Sequence, residues 1–356
     1  MSDKPATKAC LFNIVINIHN GVRAEYIQGV LDRIIDKFPC RVIWINTSSE
    51  NKDNIALQVK ENIANSDKSL FYDEFIINAD DLSSSKVPLL LWPILMPDIP
   101  IYLVWARDPT TDKIILPALL NHARCLIFDS DTIQNFEQFN TKIQRDLCGL
   151  KCDIIDMNWA RGSGWRNVLG NIFNTHFKID ELQKCNNIAI HYNNVHTSGC
   201  KHNMTQALYL QAWLAAQLHW RFLNYAESRE KQVLTYDYNG HRSIVELIPV
   251  ENEHFTSGAL IKIISSTDEQ HTFCLIRKNE SPELIHVNIS TKDRCELPYA
   301  ALIQTMTKPF SFIQEILYNP SYEHYAHMLQ VLTEECRASK QLAANFSSQE
   351  EANACK

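Results

Sequence analysis

The densest chemistry in this sequence lies in one stretch, Asp156-Met157-Asn158-Trp159-Ala160-Arg161, which continues through Gly162-Ser163-Gly164 to Trp165-Arg166. Two tryptophans and two arginines within eight residues are the types enriched at binding hot spots. Large rings bury area there, and a guanidinium presents a rigid fork of donors. Asn158, Trp159, Arg161, Trp165 and Arg166 are therefore the candidate partner-binding residues. A second arrangement is open to them, in which the rings pack in a core and the arginines hold carboxylates.

Other constellations are weaker. Glycine turns let a backbone approach a pyrophosphate, and Gly162-Ser163-Gly164 precedes a helical stretch. The dinucleotide fingerprint needs a third glycine three residues on, where Asn167 stands, so a glycine-rich loop before a helix is the simpler reading. Cys185, His191, His196, Cys200 and His202 fall within eighteen residues, but the close cysteine pairs usual at zinc are missing. They are read as loop and strand residues, with no metal. Cys148 and Cys152 are one helical turn apart and are expected to be reduced. No spaced set of acids, bases and nucleophile forms a defensible catalytic constellation, and no cofactor is expected.

The elements that must position these residues change character along the chain. Leu11 to Ile18, Arg41 to Ile45, Leu70 to Asn78, Ile101 to Trp105 and Leu126 to Phe128 are apolar runs of strand length. A helical stripe of Ile27, Val30, Leu31, Ile34, Ile35 and Phe38 follows the first of them. Strands alternating with helices predict a Rossmann-like, largely parallel sheet over residues 1–178. Asp98, Asp129 and Ser130 lie at or near strand ends and form a possible ligand crevice at the sheet's carboxyl edge.

Residues 179–345 read as a second, α+β domain. A Trp-rich helix from Met204 to Phe222 opens with Asn203 and Gln206 in a capping-box spacing, and its apolar girth predicts burial. Five alternating segments between Val233 and Ile289 predict an antiparallel meander, with Asn239-Gly240 as a hairpin turn. A closing amphipathic helix spans Ser321 to about Leu342, and 346–356 is a polar, frayed tail.

Composition narrows the classes. A chain of 356 residues with 45% apolar content can bury two cores, so disorder over most of its length is excluded. A net charge of −7 gives no electrostatic reason to bind nucleic acid. Only 9 glycines, about 2.5% against a usual level of about 7%, argue against a protein built on phosphate loops. No apolar run is long enough to span a membrane, and no signal segment opens the chain, so a cytoplasmic protein with reduced thiols is expected.

Several ordered blocks also carry a resemblance. They are Ala9 to Val15; Val87-Pro88-Leu89-Leu90 with Met96-Pro97-Asp98-Ile99-Pro100 running to Trp105; Ala123 to Ser130; Asp156 to Arg166; Ala212 to Trp220; and Ile316 to Leu329. In this order, over nearly the whole chain, they resemble the OpcA-type glucose-6-phosphate dehydrogenase assembly proteins. Gly162-Ser163-Gly164 departs from a stiffer, proline-containing turn, and His219 stands where glycine is common. The resemblance implies a non-enzymatic factor that binds glucose-6-phosphate dehydrogenase, favours its active oligomer and raises its activity in the oxidative pentose phosphate pathway. The rival is an enzyme or sugar-phosphate- or nucleotide-binding protein using the crevice near Asp98, Asp129 and Ser130.

Overall fold

The computed structural model describes residues 10–19, 24–35, 38–49, 55–63, 71–133, 136–143, 152–175, 179–196, 202–267, 272–290, 295, 297–303 and 323–338. Packing divides them into two units, the first within Met1–Gln134 and Arg145–Ala160, the second within Asn135–Gln144, Arg161–Thr305 and Glu323–Lys356. The sequence reading puts the change at residue 178; packing groups Arg161–Thr305 with Asn135–Gln144 and Glu323–Lys356.

The first unit is a seven-stranded sheet of β1 (Asn13–His19), β2 (Arg41–Ser48), β3 (Ile55–Ile63), β4 (Phe71–Asp80), β5 (Ile101–Trp105), β6 (Cys125–Phe128) and β7 (Asp153–Asp156). Their order is β3-β4-β2-β1-β5-β6-β7, and every neighbouring pair is parallel except β3 with β4. Leaving out the edge strand β3, this is the doubly wound dinucleotide-fold order. The expected Rossmann-like sheet is therefore present, with one antiparallel addition.

Helices α1 (Ala24–Ile35), α2 (Val87–Leu91) and α3 (Ile115–Leu120) belong to this unit. α1 lays Ile27, Leu31, Ile34 and Ile35 on Ile14, Ile16 and Ile18 of β1 and on Val42 and Trp44 of β2. Burying each such side chain contributes about 1.5–3 kcal/mol, which is what fixes the helix to the sheet. The sequence reading left out strand β3, although Ile55, Leu57 and Val59 alternate with Ala56, Gln58 and Lys60; it is an edge strand whose central residues are exposed on both faces.

The second unit carries an eight-stranded sheet: β8 (Cys185–Asn193), β9 (Arg221–Glu227), β10 (Gln232–Tyr238), β11 (His241–Val250), β12 (Leu260–Thr267), β13 (Thr272–Lys278), β14 (Ser281–Ser290) and β15 (Tyr299–Leu302). The order is β15-β14-β13-β12-β8-β11-β10-β9, antiparallel throughout except for β8 beside β11. Asn239 and Gly240, at φ 51° and 87°, form the hairpin turn anticipated between β10 and β11.

Helices of this unit are α4 (Phe136–Lys142), α6 (Ser163–Thr175), α7 (Ile179–Gln183), α8 (Thr205–Gln217) and α9 (323–338), while α5 (Met157–Arg161) follows β7 directly. α8 is buried on nearly every side, as its all-round apolar sequence demands. Tyr325, Leu329 and Leu332 make the buried stripe of α9; Ser321, Tyr322 and Leu342 lie outside the described residues.

Two details correct the sequence reading of α8. Its N-cap is Met204, without a side-chain cap, because the Asn203 side chain is occupied with the segment 194–196 and with Ser257. It also stops at Gln217 rather than Phe222. His219 adopts φ 55°, the Trp220 amide donates to the Ala215 carbonyl at 2.9 Å, and the His219 amide donates to the Ala216 carbonyl at 3.4 Å. That double bond is a Schellman ending, whose left-handed residue is usually glycine because any Cβ is strained there. His219→Gly should therefore raise stability by about 0.5–1 kcal/mol, read as a higher denaturant midpoint at unchanged slope.

Candidate functional site

A parallel sheet of this order presents ligands at the carboxyl ends of its strands, at the switch between β1 and β5. One register row crosses that edge: Ile45, Asn17, Trp105, Phe128 and Asp156, on β2, β1, β5, β6 and β7. Register partners on parallel strands share a face, so these five side chains stand side by side.

At the far end of the row Asp156 organises a buried polar knot. Its Oδ1 accepts from the Asn158 amide at 2.9 Å, the Ser130 hydroxyl at 2.9 Å and the Ser130 amide at 3.3 Å. The Asn158 Nδ2 faces Asp131 Oδ1 at 2.7 Å, Ser130 Oγ at 2.9 Å and Asp129 Oδ1 at 3.3 Å. Asp129 in turn accepts from the Asp131 amide at 3.1 Å, capping the short turn after β6. Asp156, Ser130 and Asn158 are at most 1% exposed. The knot thus ties together the turns that leave β6 and β7.

The expected residues divide accordingly. Asp129, Ser130 and Asn158 meet in this knot. Asp98 does not: it precedes β5, at the opposite edge of the sheet, exposed and with φ 63°. The length of β5 alone, about 16 Å at 3.3 Å per residue, separates the two edges. The expected crevice shared by Asp98, Asp129 and Ser130 is therefore not formed. Trp159, Trp165 and Arg166 are 3%, 2% and 9% exposed, so the expected patch is mostly interior. Side chains so covered offer no area to a partner while the fold is intact. Arg161 is the half-exposed member of the five.

Gly162 and Gly164 are not in a phosphate loop. They follow β7, and a Cβ on Gly164 would stand 2.6 Å from Cγ2 of Ile303 and 2.9 Å from its Cβ. Close packing between α6 and Ile303 is what this glycine permits. Cys185 is fully buried on β8, while His191 lies on that strand's other, half-buried face; Cys148 and Cys200 fall outside the described residues. No group of three potential metal ligands occurs among the described residues. Burial pushes the thiols of Cys40, Cys152 and Cys185 up to about 12, which removes them as nucleophiles at neutral pH.

Three residues at the switch point escaped the sequence reading. His19 ends β1, with Nδ1 at 3.2 Å from the Thr47 hydroxyl and Nε2 at 3.2 Å from the Ser49 hydroxyl. Asn17 and Trp105, in register beside each other, are fully buried, and neither the amide nor the indole N–H has a hydrogen-bond partner. A polar residue inside the apolar run Ile14-Val15-Ile16-Asn17-Ile18 was the available signal.

The fold invites a dinucleotide test, because this strand order is the one that binds nicotinamide cofactors. The fingerprint must then lie between β1 and α1, where the sequence reads His19-Asn20-Gly21-Val22-Arg23 with one glycine. The acidic residue that takes the ribose should stand at the end of β2, where the sequence reads Asn46-Thr47-Ser48-Ser49 with Glu50 next, so the departure from the fingerprint rests on the missing glycines. These residues do not fit the dinucleotide fingerprint.

Comparison with known proteins adds family and fold. Residues 32–145 match the family described as glucose-6-phosphate dehydrogenase subunit N-terminal domain, and residues 152–299 match that subunit's C-terminal domain. A protein of Synechococcus elongatus, provisionally named OxPP cycle protein OpcA, is 23% identical over 257 residues, covering 69% of this chain and 56% of the relative. Its namesake in Synechocystis is 24% identical over 203 residues, or 56% of this chain and 41% of the relative. The chain thus spans about half the length of these curated relatives. Among solved structures, the 3-ketoreductase KijD10 of Actinomadura kijaniata, in complex with NADP, superposes with TM-score 0.52 at 7% identity over 93% of this chain and 97% of its own. A super-repressor mutant of Gal80p from Saccharomyces cerevisiae gives 0.52 at 9% over 94% and 97%. At such identity the likeness is one of fold alone, and that fold serves both a reductase and a repressor. No helix among the described residues is long and apolar enough to cross a membrane.

Proposed function

We propose that this chain, which belongs to the OpcA family of glucose-6-phosphate dehydrogenase assembly proteins, binds that enzyme and activates it without chemistry of its own. One observation carries the reading beyond family membership: a dehydrogenase-type sheet whose β1–α1 connection holds a single glycine in place of the three-glycine fingerprint. The scaffold is retained and the cofactor fingerprint is not. A factor of this kind acts by binding the active oligomer of the enzyme better than the inactive forms, which shifts the population toward activity. The oxidative pentose phosphate pathway is then its setting, and the cytoplasm its compartment.

Arg161 is the member of the Trp/Arg block that retains exposed surface, so the docking role narrows to it. If its guanidinium meets a carboxylate on the enzyme, Arg161→Ala should weaken binding by roughly 2 kcal/mol and leave the melting temperature nearly unchanged. The parent experiment mixes purified glucose-6-phosphate dehydrogenase with the full chain and measures oligomer distribution and kinetics. Activation with a shift to a larger oligomer is expected; unchanged kinetics and size at saturating protein would remove the assignment.

A second reading, a small-ligand-binding protein, is favoured by the partnerless Asn17 amide and Trp105 indole at the switch point. Calorimetric titration with NADP or glucose 6-phosphate separates the two. Tight, saturable heat abolished by Asn17→Leu would support the ligand reading.

A further inference from the structure

In the second unit three polar side chains close a ring inside the core. Tyr236, on β10, is fully buried; Gln211, on α8, is fully buried; and Glu335, on α9, is 5% exposed. The Tyr236 hydroxyl lies 2.6 Å from Glu335 Oε1 and in hydrogen-bond contact with Gln211 Oε1. The Gln211 amide nitrogen closes the ring to Glu335 Oε2 at 2.9 Å.

Counting protons decides the charge of the carboxyl. Three contacts need three hydrogens. The tyrosine has one hydroxyl proton, and a glutamine nitrogen reaches only one ring neighbour. The third must come from Glu335. Turning the Gln211 amide over does not change the count: its nitrogen then serves Tyr236, and its oxygen, now against the carboxyl, again needs a proton from Glu335. With an ionised carboxylate, two acceptor oxygens are left pressed together without a hydrogen in either orientation.

We propose that Glu335 is held as a neutral carboxylic acid that completes this ring, and that loss of its proton opens the ring and loosens the seat of α9 on α8 and β10. The second unit thus contains a proton-sensitive latch. Burial, foremost, and the neighbouring Glu334 charge favour the neutral form and outweigh the hydrogen bonds of Tyr236 and Gln211, which pull the other way. α8 carries no charged residue. On α9 the Glu334 charge opposes a second negative charge, and Cys336 lies next to Tyr225 of β9. Tyr225 itself is raised by burial and by Glu227, with Tyr192 of β8 beside it. Asp237, the charged residue of β10, is bonded to Arg221 of β9 at 3.2 Å. Trp220 and Phe222 flank the Tyr236 ring at 5.5 and 5.9 Å, which keeps water from the hydroxyl.

The direction of the pH effect follows from linkage. Burial raises the Glu335 carboxyl to about 7, whereas an unfolded glutamate titrates near its ordinary 4.5. Between those values the native state holds a proton that the unfolded chain has released. Stability from the latch is therefore complete below the unfolded value and is lost as pH rises through the native one.

Two measurements on the full chain test the latch. Melting temperature is followed from pH 5.5 to 8.5 for the parent protein and for Glu335→Gln, which supplies a permanent donor in place of the titrating proton. The parent should fall by about 5 °C across that range, and the variant should lose that fall. Infrared difference spectra of the parent should show a protonated carboxyl band disappearing over the same interval, a readout that holds even if the variant folds poorly. Tyr236→Phe, which removes the hub, should shift that band's midpoint. An equal fall of melting temperature in parent and Glu335→Gln, or no buried carboxylic acid band at pH 5.5, would overturn the proposal.

Discussion

Asp156→Ala is expected to destabilise the first unit by about 3–5 kcal/mol, among the largest effects any single polar residue here should produce. Its Oδ1 is the common acceptor for the Ser130 amide, the Ser130 hydroxyl and the Asn158 amide, all in a site closed to water. Truncation leaves those donors buried and unpaired, and each then carries a desolvation penalty of about 1–3 kcal/mol. Water cannot rescue them unless the turns after β6 and β7 separate. Asp156→Asn keeps the Oδ1 acceptor and removes only the charge, so its loss should be clearly smaller. Denaturant midpoints for the two variants measure the difference. Equal losses would mean that charge, not the three hydrogen bonds, holds the knot.

That expectation also shows how far the sequence could be read. Trp159, Arg161, Trp165 and Arg166 are conspicuous by type, and residue type alone says nothing about which way a side chain faces. The deciding fact is Asp156, the last residue of a four-residue strand too short to announce itself by periodicity. Once β7 is in place, the chain leaves it through a turn locked to Ser130, and the block starts inside the protein. Asp98 was misplaced for a related reason. It adjoins an apolar strand segment, but only the parallel pairing of β5 with β1 and β6 tells which end of the sheet it occupies.

The legible parts were those with strong local signals. The stripe of α1, the apolar runs of β1, β2, β5 and β6, and Asn239-Gly240 each state a local structure that tertiary contacts then reinforce. Asn17 and the Gln211–Tyr236–Glu335 ring were hidden because their chemistry depends on long-range contacts. Tyr236 and Glu335 stand 99 residues apart, and no spacing rule joins them. His219 lies between these cases. Its departure from the family's usual glycine was visible, and the left-handed backbone at φ 55° supplies the reason glycine suits that place.

Trp213→Ala should produce the second large effect, a loss of about 3–5 kcal/mol from the second unit. Trp213 is 8% exposed on α8, in a helix whose neighbouring Leu210, Ala212 and Leu214 are also buried. Because α8 is buried on nearly every side, no face can slide outward to fill the space an indole leaves. The residual cavity therefore adds to the lost transfer energy instead of collapsing. Against a typical margin of about 5–15 kcal/mol, such a loss should lower the melting temperature by many degrees. Arg161→Ala makes the contrasting measurement. Half-exposed at the end of α5, it should leave the thermal midpoint nearly in place while weakening enzyme binding. Trp213→Ala should do the reverse at temperatures where it remains folded, with normal affinity per folded molecule. Early melting of Arg161→Ala together with normal binding would make that arginine part of the scaffold, as the burial of Trp159, Trp165 and Arg166 already makes its neighbours.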